Sequence, residues 1–109
     1  MPPQDISSYN GLFLKTAKEH IDIISNNLDA LKDISDKQNV YEEIYRRAHS
    51  LKGSSSVMGH REITETCTEI VTLVHPLIEA SISDEKLNHL SSLVLNLKRQ
   101  IDEVEKISN

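Results

Sequence analysis

From Phe13 onward, apolar residues return every three or four positions: Phe13, Ala17, His20/Ile21, Ile24, Leu28 and Leu31. At about 100° per residue this spacing draws one stripe along a helix, and it predicts a first helix over about residues 7–32. A second stripe, Ile44, Ala48, Leu51, Ser55 and Met58, predicts a helix over about 38–58. Its candidate starts are Ser35 and Asn39, each followed three residues later by a capping-box partner (Ser35/Gln38 and Asn39/Glu42). Gly59 supplies the stop. The third stripe, Ile63, Cys67, Ile70 and Val74, belongs to a helix over about 61–79. Pro76 must kink or terminate it, because proline lacks an N–H and crowds the preceding turn. The fourth starts after Ser81 or Ser83 and spans about 83–107. Its Leu87, Leu90, Val94, Leu97, Ile101 and Val104 alternate threes and fours without a break, as the seam of a bundle does.

Four such helices with short connections predict an all-α fold, an antiparallel up-down four-helix bundle, with residues 1–5 as a tail and 6–109 as a single domain. Composition agrees. Three Gly and three Pro in 109 residues leave few turns, which favours a few long helices over many short strands. A net charge of −5, with no face rich in Lys and Arg, argues against a nucleic-acid partner. No apolar run reaches the length of a membrane span, and no secretory signal pattern is present. Cys67 stands alone, so no internal disulfide forms and a reducing compartment is expected. The expectation is a cytoplasmic monomer without nucleic-acid or membrane contacts.

The chemistry concentrates in the second helix, where Ala48–Gly59 reads AHSLKGSSSVMG. With His49 as origin, Tyr45, Arg46, Lys52, Gly53 and Ser56 fall within roughly 60°, and the apolar stripe falls opposite. The stripe keeps phase through Ser55 to Met58, so the helix is expected to continue past Gly53. Glycine inside a helix costs about 1 kcal/mol relative to alanine. Here it lies on a face where core packing cannot be the reason, so the face is leaving space for something large. A neutral imidazole is nucleophilic near pH 7 and can hold a phosphoryl group as a phosphoramidate. Lys52 would face the phosphoryl oxygens as a mobile point charge. Gly53 and Ser56 would give steric clearance. Lys52-Gly53-Ser54 is the reverse of the phosphate-loop order, so no nucleotide site is expected, and Mg2+ and most electrostatic stabilisation fall to a partner. Tyr45, Arg46 and Ser50 are the candidate partner contacts.

Ala48-His49-Ser50-Leu51-Lys52-Gly53-Ser54-Ser55, closed by Met58-Gly59, resembles the histidine phosphotransfer (HPt) family. It is similar to the form at the N-terminus of chemotaxis kinases and in stand-alone phosphorelay proteins, and the bundle pattern extends the likeness over about Ile6 to Ile107. The resemblance implies that His49 is the phosphoacceptor. It would exchange its phosphoryl group with the aspartate of a response-regulator receiver domain carrying Mg2+, in a relay fed by an upstream histidine kinase. It also implies a carrier with no cofactor and no ATP hydrolysis of its own, not an enzyme. In the chemotaxis-kinase form a glutamate on the following helix typically hydrogen-bonds the imidazole. That place here is Val71, and Glu69 lies about 200° away around the helix, so the role is not carried over.

The alternative is a non-catalytic interaction module, a degenerate HPt domain that binds receivers or other signalling partners. Retention of His49, Lys52 and Gly53 together favours the carrier. A sensor kinase fits less well, since the chain has no room for an ATP-binding domain. His20, His60, His75 and His89 show no metal-ligand spacing and read as surface or boundary residues. Cys67 reads as core, Arg47 as a side chain snorkelling along the bundle edge, and Asp102, Glu103 and Glu105 as a solvated face.

Overall fold

The computed structural model describes residues 6–31, 37–79 and 84–108. Helix α1 is Ile6–Ala30, α2 is Lys37–Val57 and α3 is Arg61–Val74. A 3-10 turn, His75–Glu79, follows α3, and α4 is Asp84–Ser108. This is the all-α, four-helix architecture that the stripes predict. The expected tail at 1–5 and the helix starts at Ser35, Ser81 and Ser83 lie outside the described residues.

Each helix packs on its neighbours in sequence and α4 closes on α1, so α1 and α3, like α2 and α4, sit diagonally across one core. Two contacts, Ser55 with Thr64 and Tyr45 with His75, run in opposite order along α2 and the α3 segment, so these two run in opposite directions. The predicted stripes supply the interior: Ala17 and Ile24, then Ile44, Ala48 and Leu51, then Cys67, Ile70 and Val74, then Leu90 and Leu97 are all fully buried. Burying one of the Ile, Leu or Val side chains among them contributes about 1.5–3 kcal/mol. Leu14, Val40, Tyr41 and Leu93 are buried as well. A helix that touches two neighbours needs a broader apolar face than a single a/d seam provides.

Two expectations change. Asn39 is not a cap, because α2 already begins at Lys37 and Asn39 lies inside its first turn. The third segment is not one α-helix to residue 79: its α-helical part ends at Val74 and its last five residues form the 3-10 turn. Pro76 is the cause. It has no N–H to give to the carbonyl four residues back, so the ladder cannot continue and the chain tightens instead.

At the other end of α3, the stop at Gly59 is as expected. Its φ is +78°, a conformation that suits glycine. The Gly59 N–H donates to the Ser56 carbonyl at 3.1 Å and the His60 N–H to the Ser55 carbonyl at 2.9 Å, the paired bonds of a Schellman ending. Helix α2 therefore runs unbroken through Gly53 and the three serines.

Candidate functional site

Because α2 stays helical past Gly53, its two faces are sorted cleanly. Ile44, Ala48, Leu51 and Ser55 point into the core, while His49, Ser50, Gly53 and Ser56 are exposed. The serines survive in the helix by bonding back to its own carbonyls, Ser54 Oγ to Leu51 at 3.3 Å and Ser55 Oγ to Lys52 at 3.1 Å. Ser55 also reaches across to Thr64, with the two hydroxyl oxygens 2.7 Å apart.

The His49 ring stands on the solvent side of this helix. Tyr45, one turn earlier, stacks on it with ring centroids 5.8 Å apart and planes inclined by 28°. The Tyr45 ring is also flanked by His75, at 5.3 Å and 41°. A shallow depression of about 260 Å³ opens beside them, lined by Glu42, Tyr45, Arg46, His49 and Ser50. The structure thus brings Tyr45, Arg46 and Ser50 together with His49. Lys52, Gly53 and Ser56 lie on the following turns of the same helix and do not line the depression.

Lys52 is half-buried and, among the described residues, pairs with no carboxylate. An added Cβ at Gly53 would meet nothing within 4 Å. The chain's own packing therefore does not require glycine there, and the bare backbone faces outward. Arg46 is exposed and lies 3.5 Å from a carboxylate oxygen of Glu43, whose other oxygen accepts from Arg47 Nε at 2.8 Å. Arg47 is thus anchored to Glu43. It also lies close enough to His20 to act on it: burial and then the Arg47 charge lower the His20 pKa, against a smaller upward push from Glu19.

On α3, Val71 is half-buried and offers the imidazole no acceptor. Glu69 is exposed on the α4 side, where it lines a groove with Thr68, Leu73, Pro76, Lys86 and His89, away from His49.

Several relationships escaped the periodicity. His75, read as a surface or boundary residue, is exposed, and it meets Tyr45 from the helical end of α3, where its N–H still bonds the Val71 carbonyl. Glu42 lines the depression. His60 is a fastener: its Nε2 lies 2.9 Å from Asn10 Oδ1, its ring packs 4.8 Å from that of Phe13, and burial lowers its pKa. No local pattern announces a contact between positions 50 residues apart. Cys67 is core, as expected, and burial pushes its thiol up to about 12. Glu105, read as part of a solvated face, pairs with Lys18 and ties α4 to α1.

Together these features define a class: a small helical bundle that presents an exposed histidine on the outer side of its second helix, followed one turn on by a lysine that, among the described residues, pairs with no carboxylate, and by the bare backbone of a glycine. The model of the Hpt domain family matches residues 9–106, and the chain belongs to that family. Hpt domains are phosphotransfer carriers without kinase activity of their own.

The chain is similar to the chemotaxis protein CheA of Borreliella burgdorferi, at 30% identity over 97 residues that cover 89% of this chain and 11% of that one. It is similar to CheA of Bacillus subtilis, at 30% identity over 116 residues covering 92% and 17%. CheA of Halobacterium salinarum is 20% identical over 102 residues covering 92% and 15%. The chain therefore spans between about a tenth and a sixth of the length of these relatives. No solved structure gives a significant match. Among the described residues, no helix is long and apolar enough to cross a membrane.

Proposed function

We propose that this chain is the histidine carrier of a two-component phosphorelay, in which His49 exchanges a phosphoryl group with the aspartate of a response-regulator receiver domain. The observation that carries the reading is the exposed His49 ring on an uninterrupted helix, with Lys52 and the open backbone of Gly53 on the turn after it.

In the forward step the exposed ring nitrogen attacks the phosphorus of an aspartyl phosphate. An N–P bond forms, the acyl O–P bond breaks, and the aspartate leaves as carboxylate. Lys52 lies within a turn of the incoming oxygens, and its ammonium is free to approach them. Mg2+ and the remaining charge stabilisation belong to the receiver's site, which is why so few charged groups are needed here. Gly53 and Ser56 let the rim of that site settle on α2, while Tyr45, Arg46 and Ser50 form the contact around the depression. A histidine kinase upstream supplies the phosphoryl group.

The test is chemical. The chain is incubated with a receiver domain charged by acetyl phosphate, and protein-bound phosphate is followed. An acid-labile, alkali-stable phosphate that disappears in His49→Gln supports the carrier. Tight receiver binding with no phosphate on His49 would instead establish a binding module.

A further inference from the structure

We infer that Tyr45, braced by His75, is the positioning residue that holds the His49 imidazole in its attacking orientation; the inference rests on the carrier reading above. An exposed histidine on a helix is free to change rotamer, and a nucleophile that must meet phosphorus in line loses rate when its ring wanders. Among the described residues, nothing hydrogen-bonds the His49 ring, and on α3 the half-buried Val71 has no polar atom to offer. What touches the ring is Tyr45, four residues earlier on the same face, at a separation and tilt within the range of offset stacking.

Tyr45 is in turn prevented from swinging away. It packs partly against the core, and His75 flanks its ring from the 3-10 turn. His75 owes its place to backbone geometry. Its dihedrals are α-helical and its N–H bonds the Val71 carbonyl as the last link of α3, so the helix itself sets where the side chain lies; the chain tightens into the 3-10 turn from there. The contacts run from His75 to Tyr45 and from Tyr45 to the reacting ring. An aromatic clamp of this kind fixes the plane of the imidazole and leaves both ring nitrogens unengaged.

Docking and positioning make different demands on Tyr45, and kinetics separates them. A docking residue changes the receiver concentration needed for half-saturation, whereas a positioning residue changes the first-order transfer rate once the complex is full. Single-turnover transfer from a charged receiver domain to the full chain is measured over a range of receiver concentrations. In parallel, the His49 ring protons are observed by NMR in the unphosphorylated chain.

Tyr45→Leu is expected to lower the saturating rate roughly two- to ten-fold, the scale of one lost aromatic pair, over and above any change in half-saturation that its place in the receiver contact brings. The ring-current shift of the His49 protons should vanish with it. Tyr45→Phe, which keeps the ring and removes the hydroxyl, should recover both. His75→Ala, at an exposed position, should move rate and shift part of the way.

An unchanged saturating rate in Tyr45→Leu, or a loss confined to half-saturation, overturns the inference. So does a His49 shift indifferent to both substitutions. If the wild-type chain takes no phosphate on His49, the carrier reading is what fails, and the NMR arm alone still decides whether the clamp exists.

Discussion

Ser55 Oγ lies 2.7 Å from Thr64 Oγ1 in the interface between α2 and α3, on the side of α2 opposite the exposed face. Each hydroxyl also lies within bonding distance of a carbonyl of its own segment, that of Lys52 at 3.1 Å and that of His60 at 3.1 Å. Two hydroxyl protons thus serve three contacts, so no more than two are hydrogen-bonded at once. Ser55 is fully buried, so its removal leaves Thr64 with a single protein partner. Ser55→Ala is expected to destabilise the bundle by about 1–2 kcal/mol, seen as a lower urea midpoint with unchanged slope. Transfer at His49 should persist. A midpoint equal to wild type would show that the hydroxyl pair contributes nothing net.

Gly53 separates stability from function. With open space around its missing Cβ, Gly53→Ala should raise stability by about 0.5–1 kcal/mol through helix propensity and a less flexible unfolded chain. Gly53→Leu should also fold, as circular dichroism would show, yet under the proposed function transfer should slow at least several-fold, because the branched side chain would stand in the receiver's path. Normal kinetics in the leucine variant would refute the clearance role.

His20 and His60 predict how acid acts on the fold. Burial holds both below the ordinary imidazole value of 6.5, and for His20 the Arg47 charge adds to the effect. As the pH drops through that value the unfolded chain takes up protons that the native chain refuses. The stability they provide is therefore complete above 6.5 and lost as the pH passes down through the folded-state values. Urea midpoints should fall between about pH 7.5 and about pH 5. His60→Gln, which keeps an amide donor for Asn10, should flatten part of that slope. An equal slope in the variant would exclude His60 as a source.

Most of the fold could be read from spacing alone because each helix obeys one period. Ile63, Cys67, Ile70 and Val74 need no tertiary information to be placed inward. The exposed face of α2 was legible for the same reason: His49, Lys52 and Gly53 are fixed relative to the stripe by helical geometry. What spacing does not carry is the register between elements. The meeting of Tyr45 with His75 depends on how the last turn of α3 lies against α2. The His60–Asn10 contact depends on the corner after Gly59 folding back on α1. Ser55 shows the limit from the other side: periodicity places it inward, but the hydroxyl that makes it tolerable there becomes visible only with Thr64 in view.

Cys67 offers a built-in reporter. Its thiol is fully buried and pushed up to about 12, so neither access nor thiolate is present in the native state near neutral pH. Alkylation by iodoacetamide, followed by mass spectrometry, should proceed only through opening of the core and should quicken with urea in step with loss of helix. Rapid labelling of the folded chain would show that α3 opens locally.

Lys52 is the sharpest test of how the site handles charge. It is half-buried, and among the described residues it pairs with no carboxylate, so its ammonium is not engaged within the chain. A cation at such a partly solvated position is expected to contribute about 1 kcal/mol to capture, or roughly five-fold in rate. Lys52→Ala should lose that factor with helix content unchanged. Lys52→Arg should recover part of it, since the charge returns on a stiffer, planar head group. Because the contact is screened, raising the salt should slow the wild type more than the alanine variant, and the two rates should converge. If Lys52→Ala matches wild type at low ionic strength, the lysine has no part in the transfer and the receiver alone stabilises the phosphoryl group.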